Sequence, residues 1–346
     1  MKTLDAISRA LTCAAVVLLA ACAGSPAPGA MPQGVASAPH AERGTSWMLA
    51  GATAKKSVLL YLSDWRTNDV YVYDYKSGKH VGTLTGFELP GGACVDAKGD
   101  VYITSPATGM TTEYAHGGTT PLNTYATNGI AMGCSVDKGG DLAVTDFYSH
   151  TPPPSGPGQV CIFKKHTQRS TCYSEPSVCD LMWPGGYDDN GDLIVEGYGE
   201  TVSRNAICAL MHGATSMTTL SLKGSKRDSF TGSVMWDGKY ITLTDQAAYE
   251  NPSAIYQVTL SGSTLTEVGH TQLRAECKGL NTYAASPFIV GQTNTPVNRR
   301  QGKLVISGAL TSACKFGVGY WSYPQGGHAF KAIRGDFYGA AVSFGT

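Results

Sequence analysis

One phrase keeps returning along the chain. It reads Gly-Gly-Ala-Cys-Val-Asp-Ala-Lys-Gly-Asp-Val-Tyr-Ile-Thr at 91–104 and Gly-Cys-Ser-Val-Asp-Lys-Gly-Gly-Asp-Leu-Ala-Val-Thr at 133–145. It returns as Gly-Gly-Tyr-Asp-Asp-Asn-Gly-Asp-Leu-Ile-Val-Glu at 185–196, and more loosely as Val-Met-Trp-Asp-Gly-Lys-Tyr-Ile-Thr-Leu-Thr-Asp at 234–245. Each copy predicts a short strand, a turn containing glycine and a second short strand. Units this small cannot bury an apolar face alone, so they must pack against one another.

A second repeated unit is a hairpin. Its copies start at Val70–Asp74, Thr112–Tyr114, Val160–Phe163, Ile207–Leu210, Ile255–Val258 and Gly319–Ser322. Phrase plus hairpin makes four strands, and six such units fill the chain after residue 56. The expectation is therefore an all-β, six-bladed β-propeller of four-stranded blades over 56–346. Tyr338–Ser343 matches the first strand of the phrase and Val58–Leu62 matches the second. The C-terminal strand is thus expected to pair with the N-terminal strands and close the ring, leaving no open edge.

The segment Tyr61-Leu62-Ser63-Asp64-Trp65-Arg66-Thr67-Asn68-Asp69-Val70-Tyr71-Val72-Tyr73 resembles an NHL repeat, with an Asp ending one strand and an Asn four residues later. The resemblance implies the NHL and TolB-like class of six-bladed propellers. At the other end, Lys2 and Arg9 precede an apolar run, Ala10 to Ala21, too short to span a bilayer. It finishes in Leu19-Ala20-Ala21-Cys22, which resembles the lipobox of bacterial lipoproteins. That resemblance implies a signal peptide over 1–21, lipidation of Cys22 and a cell-envelope protein anchored to the membrane by its lipid alone. An ordinary secretory signal is the alternative. Residues 22–55, rich in Ala, Gly, Pro and Ser at their start, read as a tether. Equal numbers of basic and acidic residues, 26 of each, argue against a nucleic-acid partner.

Four units place an acid at the end of the second strand: Asp64, Asp146, Glu196 and Asp245. Aromatic residues follow as Trp65, Phe147, Tyr148, Tyr198 and Tyr249. In a propeller these loops share a face with those leading into the inner strands. They are candidates for a face that binds a small molecule or a protein. The bland alternative is that the acids cap their own loops, which is the favoured reading for Asp64. Glu88, Asn128, Asp180, Asp228, Asn281 and Asp336 precede the inner strands and could offer oxygen ligands to a hard cation such as Ca²⁺ at the channel mouth. The senescence-marker and gluconolactonase propellers use a set of this kind, so a metal-dependent lactonase-type hydrolase or lyase is the second functional reading.

His80, His116, His166, His212 and His328 fall in or beside the outer hairpin turns, too far apart to share a metal or a proton. His150 alone joins the aromatic loops. No nucleophile elbow, His-Glu-x-x-His or Cys-x-x-Cys occurs. A binding module is therefore preferred over an enzyme.

Beyond Cys13 and Cys22, eight cysteines remain, an even number that suits disulfides in an exported chain. Cys161 and Cys172 are equidistant from one hairpin turn. Cys179 with Cys208, and Cys277 with Cys314, share a layout within a blade. Cys94 and Cys134 point to opposite faces of adjacent blades and could meet between them. Buried free thiols are the alternative.

Overall fold

The computed structural model describes residues 44–346 except 55, 151–155, 166, 176, 200–203, 226–231, 245–253, 275–287, 290–302, 311–315, 336 and 346, and leaves aside the side chains of 204, 205, 288, 289, 303–310 and 316. The described residues are all-β, with one 3-10 turn at Ala50–Thr53. None of them forms a helix long and apolar enough to cross a membrane.

Strands pair antiparallel in sequence order. One sheet runs Ala93–Val95, Val101–Ser105, Met110–Tyr114, Pro121–Ala126; the next runs Ala131–Val136, Leu142–Asp146, Gln159–Phe163, Ser170–Tyr173. The ends of the chain meet as expected. Phe337–Phe344 pairs antiparallel with Val58–Asp64, register Leu60↔Val342, and Val58–Asp64 continues into Asp69–Asp74 and His80–Leu84. Leu59, Leu60, Tyr61 and Leu62 are almost wholly buried there, with Ala340, Ala341 and Val342 beside them.

Trp47–Met48 adds a short outer strand on His80–Leu84. It lies within the stretch that the sequence reading assigns to the tether. Gly82 makes this possible, since a Cβ there would sit 2.3 Å from the Met48 sulfur.

The phrase is a turn-building device, and its carboxylates are spent on backbone N–H groups. Asp96 Oδ1 accepts from the N–H groups of Lys98 and Asp100; Asp188 Oδ1 accepts from Asn190 and Asp192; Asp237 Oδ1 accepts from Lys239 and Tyr240. The glycine of each turn is left-handed, with φ of 88° at Gly99, 93° at Gly140, 85° at Gly191 and 89° at Gly238. The second Asp reaches the hairpin turn of its own sheet. Asp141 Oδ1 accepts from Lys165 N–H at 2.9 Å, Asp192 Oδ1 accepts from His212 N–H at 2.7 Å, and Asp100 accepts from His116 N–H. Asp192→Ala should therefore leave the His212 N–H without its carboxylate and cost about 2 kcal/mol, read as a lower urea midpoint with unchanged m-value.

Neighbouring sheets touch backbone to backbone at the inner strands. Gly92 N–H donates to Met132 O at 3.0 Å, and Val234 N–H donates to Pro184 O at 3.0 Å. The glycines that open the phrase are there for this approach. A Cβ on Gly92 would lie 2.6 Å from Met132 O, one on Gly133 2.6 Å from the Pro184 side chain and one on Gly186 2.4 Å from Val234 O.

Outer strands join as well, which the sequence reading does not anticipate. Thr218–Lys223 pairs in parallel with Thr264–Arg274, which pairs in parallel with Gly326–Arg334. The later strands thereby merge into one 13-stranded sheet. Thr264–Arg274 is 11 residues long, enough to hydrogen-bond one neighbour near its start and another near its end.

Among the described residues three disulfides form, Cys94–Cys134, Cys161–Cys172 and Cys179–Cys208, each a pair expected from the sequence. Cys161 and Cys172 are direct cross-strand partners, and Cys94–Cys134 joins two neighbouring sheets. Cys277 and Cys314 lie outside the described residues, as does Cys22. Disulfides persist in oxidising compartments, which suits an exported protein.

Candidate functional site

The loops that follow the second strands and those that precede the inner strands share one face. At the end of both Leu142–Asp146 and Val58–Asp64 the pairing register shifts at the acid itself. The residue added by each bulge, Met132 or Tyr338, lies on the inner strand opposite the acid. Phe147 and Trp65 follow the two acids directly.

The acids lie beneath this face. Asp64 is 7% exposed, and Asp146 and Glu196 are fully buried. Asp64 Oδ1 accepts from the N–H groups of Arg66 and Thr67, so it caps its own turn. Asp146 Oδ1 accepts from the Thr127 hydroxyl at 2.8 Å, and its Oδ2 accepts from Gln159 Nε2 at 2.8 Å. Glu196 Oε2 accepts from Gly232 N–H at 2.6 Å. Asp146 thus pins the loop leading into its own sheet, and Glu196 pins the loop leading into the next. Asn68 does the same through its Oδ1, which accepts from Leu89 N–H at 2.8 Å. Burial pushes the Asp146 carboxyl up to about 7, while its hydrogen bonds from Gln159 and Thr127 pull the other way.

The rings lie on top. Phe147 meets Tyr148 edge to face at 4.8 Å and Trp183 edge to face at 4.7 Å, and all three are half-buried. Two backbone hydrogen bonds of 2.9 Å, Phe147 N–H to Ile130 O and Ile130 N–H to Tyr148 O, fix the loop that carries Phe147 and Tyr148. Trp183 is held by its N–H on Glu196 O at 2.8 Å. Edge-to-face pairs of this kind add about 1 kcal/mol beyond their buried area, so the cluster is a set surface. Trp65 packs at 5.6 Å on Tyr338, whose hydroxyl burial pushes up to about 12. Tyr198 is half-buried at the far end of Leu193–Gly199. Asp245 and Tyr249 lie outside the described residues.

Trp183 is the residue that sequence reasoning passes over. It stands directly before the Pro-Gly-Gly that opens a copy of the phrase, and the phrase reads as scaffold. The available signal was an aromatic residue in a loop leading into an inner strand.

Backbone strain gathers on the same face. The non-glycine residues with positive φ among those described are Asn68 (61°), Leu89 (51°) and Asn128 (63°), all in these loops. Such conformations persist where surrounding structure holds them, and they cluster at binding sites. Of the six residues considered for a cation, Glu88 and Asn128 are exposed and Asp180 is half-buried, while Asp228, Asn281 and Asp336 lie outside the described residues. Among the described residues, no group of three or more His, Cys, Asp or Glu is placed to hold a metal. His150 is exposed, with its Nδ1 3.0 Å from the Ser149 hydroxyl.

No protein-family model matches the chain, and no curated protein matches it. Among solved structures it is similar to one in the nidogen/laminin complex, with a TM-score of 0.58 and 11% identity over 84% of this chain and 99% of that one. It also matches the β-propeller domain of Myceliophteria thermophila Cps50 (Swd1), with a TM-score of 0.49 and 9% identity over 84% and 86% of the two chains. At these identities the likeness is one of fold, and the fold is a β-propeller.

Proposed function

We propose that this chain is an exported binding module, a six-bladed propeller that holds a protein or small-molecule ligand on its aromatic loop face. The observation that carries this reading is the Phe147–Tyr148–Trp183 cluster: three half-buried rings in edge-to-face contact, on loops pinned from below by buried carboxylates. Rings on loops that remain partly open to solvent are the usual anchors of interfaces. The blade count is supported by the repeat and by four-strand runs such as Ala93–Ala126 and Ala131–Tyr173. Export is supported by the disulfides, and lipid anchoring by the Leu19-Ala20-Ala21-Cys22 sequence.

The test is retention on immobilised protein. A Phe147→Ala/Trp183→Ala variant should lose a partner that the wild type retains specifically from its own envelope extract, with affinity lowered at least tenfold. Equal retention by both proteins, with both folded by circular dichroism, would contradict the proposal.

A further inference from the structure

We propose that Asp146 is a proton-operated latch that holds the aromatic face closed when protonated and lets it open when ionised. This deepens the binding-face reading, on which its functional meaning rests.

The geometry is that of a carboxyl with no charged partner. Asp146 is fully buried, and its hydrogen bonds come from two neutral groups, the Thr127 hydroxyl and the Gln159 amide. The titratable groups on the elements packed around it are His150 on its own loop and Asp180 before Leu181–Met182; neither hydrogen-bonds to it. Gly129 packs closely over the carboxylate: a Cβ there would sit 2.4 Å from Oδ2. Ionisation in such a place is costly unless the covering loop moves and admits water.

The protonated form needs no rearrangement of heavy atoms. The Thr127 hydroxyl has two acceptors in reach, Asp146 Oδ1 at 2.8 Å and Gly109 O at 3.2 Å. When Asp146 carries the proton, it can donate to Thr127 Oγ1 while the Thr127 hydrogen turns to Gly109 O. Every polar atom then has a partner. That chain of hydrogen bonds links the loops around Gly109, Thr127 and Phe147, alongside the backbone bonds from Thr127 N–H to Gly109 O and between Ile130 and the Phe147–Tyr148 loop. When the proton leaves to solvent, Thr127 and Gln159 both point at a buried charge, and the loop over it is the part that can yield.

The sign follows from linkage. The folded-state carboxyl sits at about 7, above its ordinary 3.8. Its contribution is therefore complete below the ordinary value and is lost as pH rises through about 7. Between those two values each opening releases one proton, so the opening equilibrium should grow about tenfold per pH unit there and level off above about 7, where the closed form is already ionised.

Amide hydrogen exchange of the full protein, followed by mass spectrometry and corrected for intrinsic rates, reads this directly. In the wild type, peptides covering Thr127–Ile130 and Phe147–Tyr148 should open about tenfold more per pH unit from about 4.5 to 6.5 and stay flat from about 7.5 to 8.5. Asp146→Asn should be flat throughout. Thr127→Val removes one donor to the carboxylate and should carry the rise to higher pH before it levels off, which keeps the test valid should Asp146→Asn fail to fold. His150→Gln should leave the profile unchanged. A pH-independent wild type, or a slope that survives in Asp146→Asn, would overturn the latch. The readout needs no partner, so its failure is separable from failure of the binding-face reading.

Discussion

Gly339→Ala is expected to cost about 3 kcal/mol or more, at the upper end of the overpacking range. Gly339 lies on Phe337–Phe344, the strand that joins the two ends of the chain, opposite Ser63. An added Cβ would meet Gly91 O at 2.2 Å, Gly92 Cα at 2.9 Å and Gly91 C at 3.0 Å. All three are backbone atoms of the neighbouring sheet, so no side chain can swing aside. Relief requires the closing strand and its neighbour to separate. The other end of the same strand carries Ser343, whose hydroxyl lies 2.6 Å from one ring nitrogen of His116; the other ring nitrogen lies 2.7 Å from the Ser57 hydroxyl. A shift of the strand would loosen the Ser343 contact. Gly51→Ala is the control, because nothing lies within 4 Å of its Cβ position and its stability should stay within about 0.5 kcal/mol. Urea midpoints of the two variants measure the difference. A Gly339→Ala protein as stable as wild type would mean that the inner strands are not packed as described.

Replacing both Cys94 and Cys134 by alanine should be the second large effect. The bond closes a loop of 40 residues, for which the chain-entropy relation gives about 4 kcal/mol at 25 °C. Cys161–Cys172 closes 11 residues and should give about 3 kcal/mol on the same relation. The first bond also does something the second does not. It joins two separate sheets, whereas Cys161 and Cys172 are already neighbours in one ladder. The Cys94→Ala/Cys134→Ala protein should therefore show the larger drop in urea midpoint. Equal losses in the two double variants would contradict this account.

Much of this architecture is legible in the sequence because turns are local. An Asp that caps its own turn and a glycine with positive φ need only residues within a few positions, so Asp96 with Gly99 and Asp188 with Gly191 announce themselves. The closing strand is legible because Tyr338–Ser343 looks like the strand missing from the first unit. Cys161–Cys172 follows from its symmetry about a hairpin turn, and Cys94–Cys134 from strand parity. What is not legible depends on depth and on neighbours distant in sequence. Nothing local to Asp146 says that Thr127 and Gly129 cover it, so an acid at a strand end reads as part of a surface when it lies under one. The parallel joining of Thr218–Lys223, Thr264–Arg274 and Gly326–Arg334 depends on how far outer strands overreach their own sheets, which alternation of side chains does not encode. Trp183 is hidden for a different reason: a repeated phrase draws attention to what is common to its copies, and Trp183 is what differs.

Site-specific photocrosslinking tests the binding face most directly. A photoreactive phenylalanine analogue placed at Tyr148 would report from the aromatic loops, and one placed at Lys138 from the exposed turn Asp137–Gly140 on the opposite face. In the organism's own envelope, the probe at 148 should give a discrete adduct that Trp183→Ala weakens, and the probe at 138 should give none. Adducts from 138 alone, or an adduct at 148 indifferent to Trp183, would contradict the assignment of Phe147, Tyr148 and Trp183 as the surface through which this propeller acts.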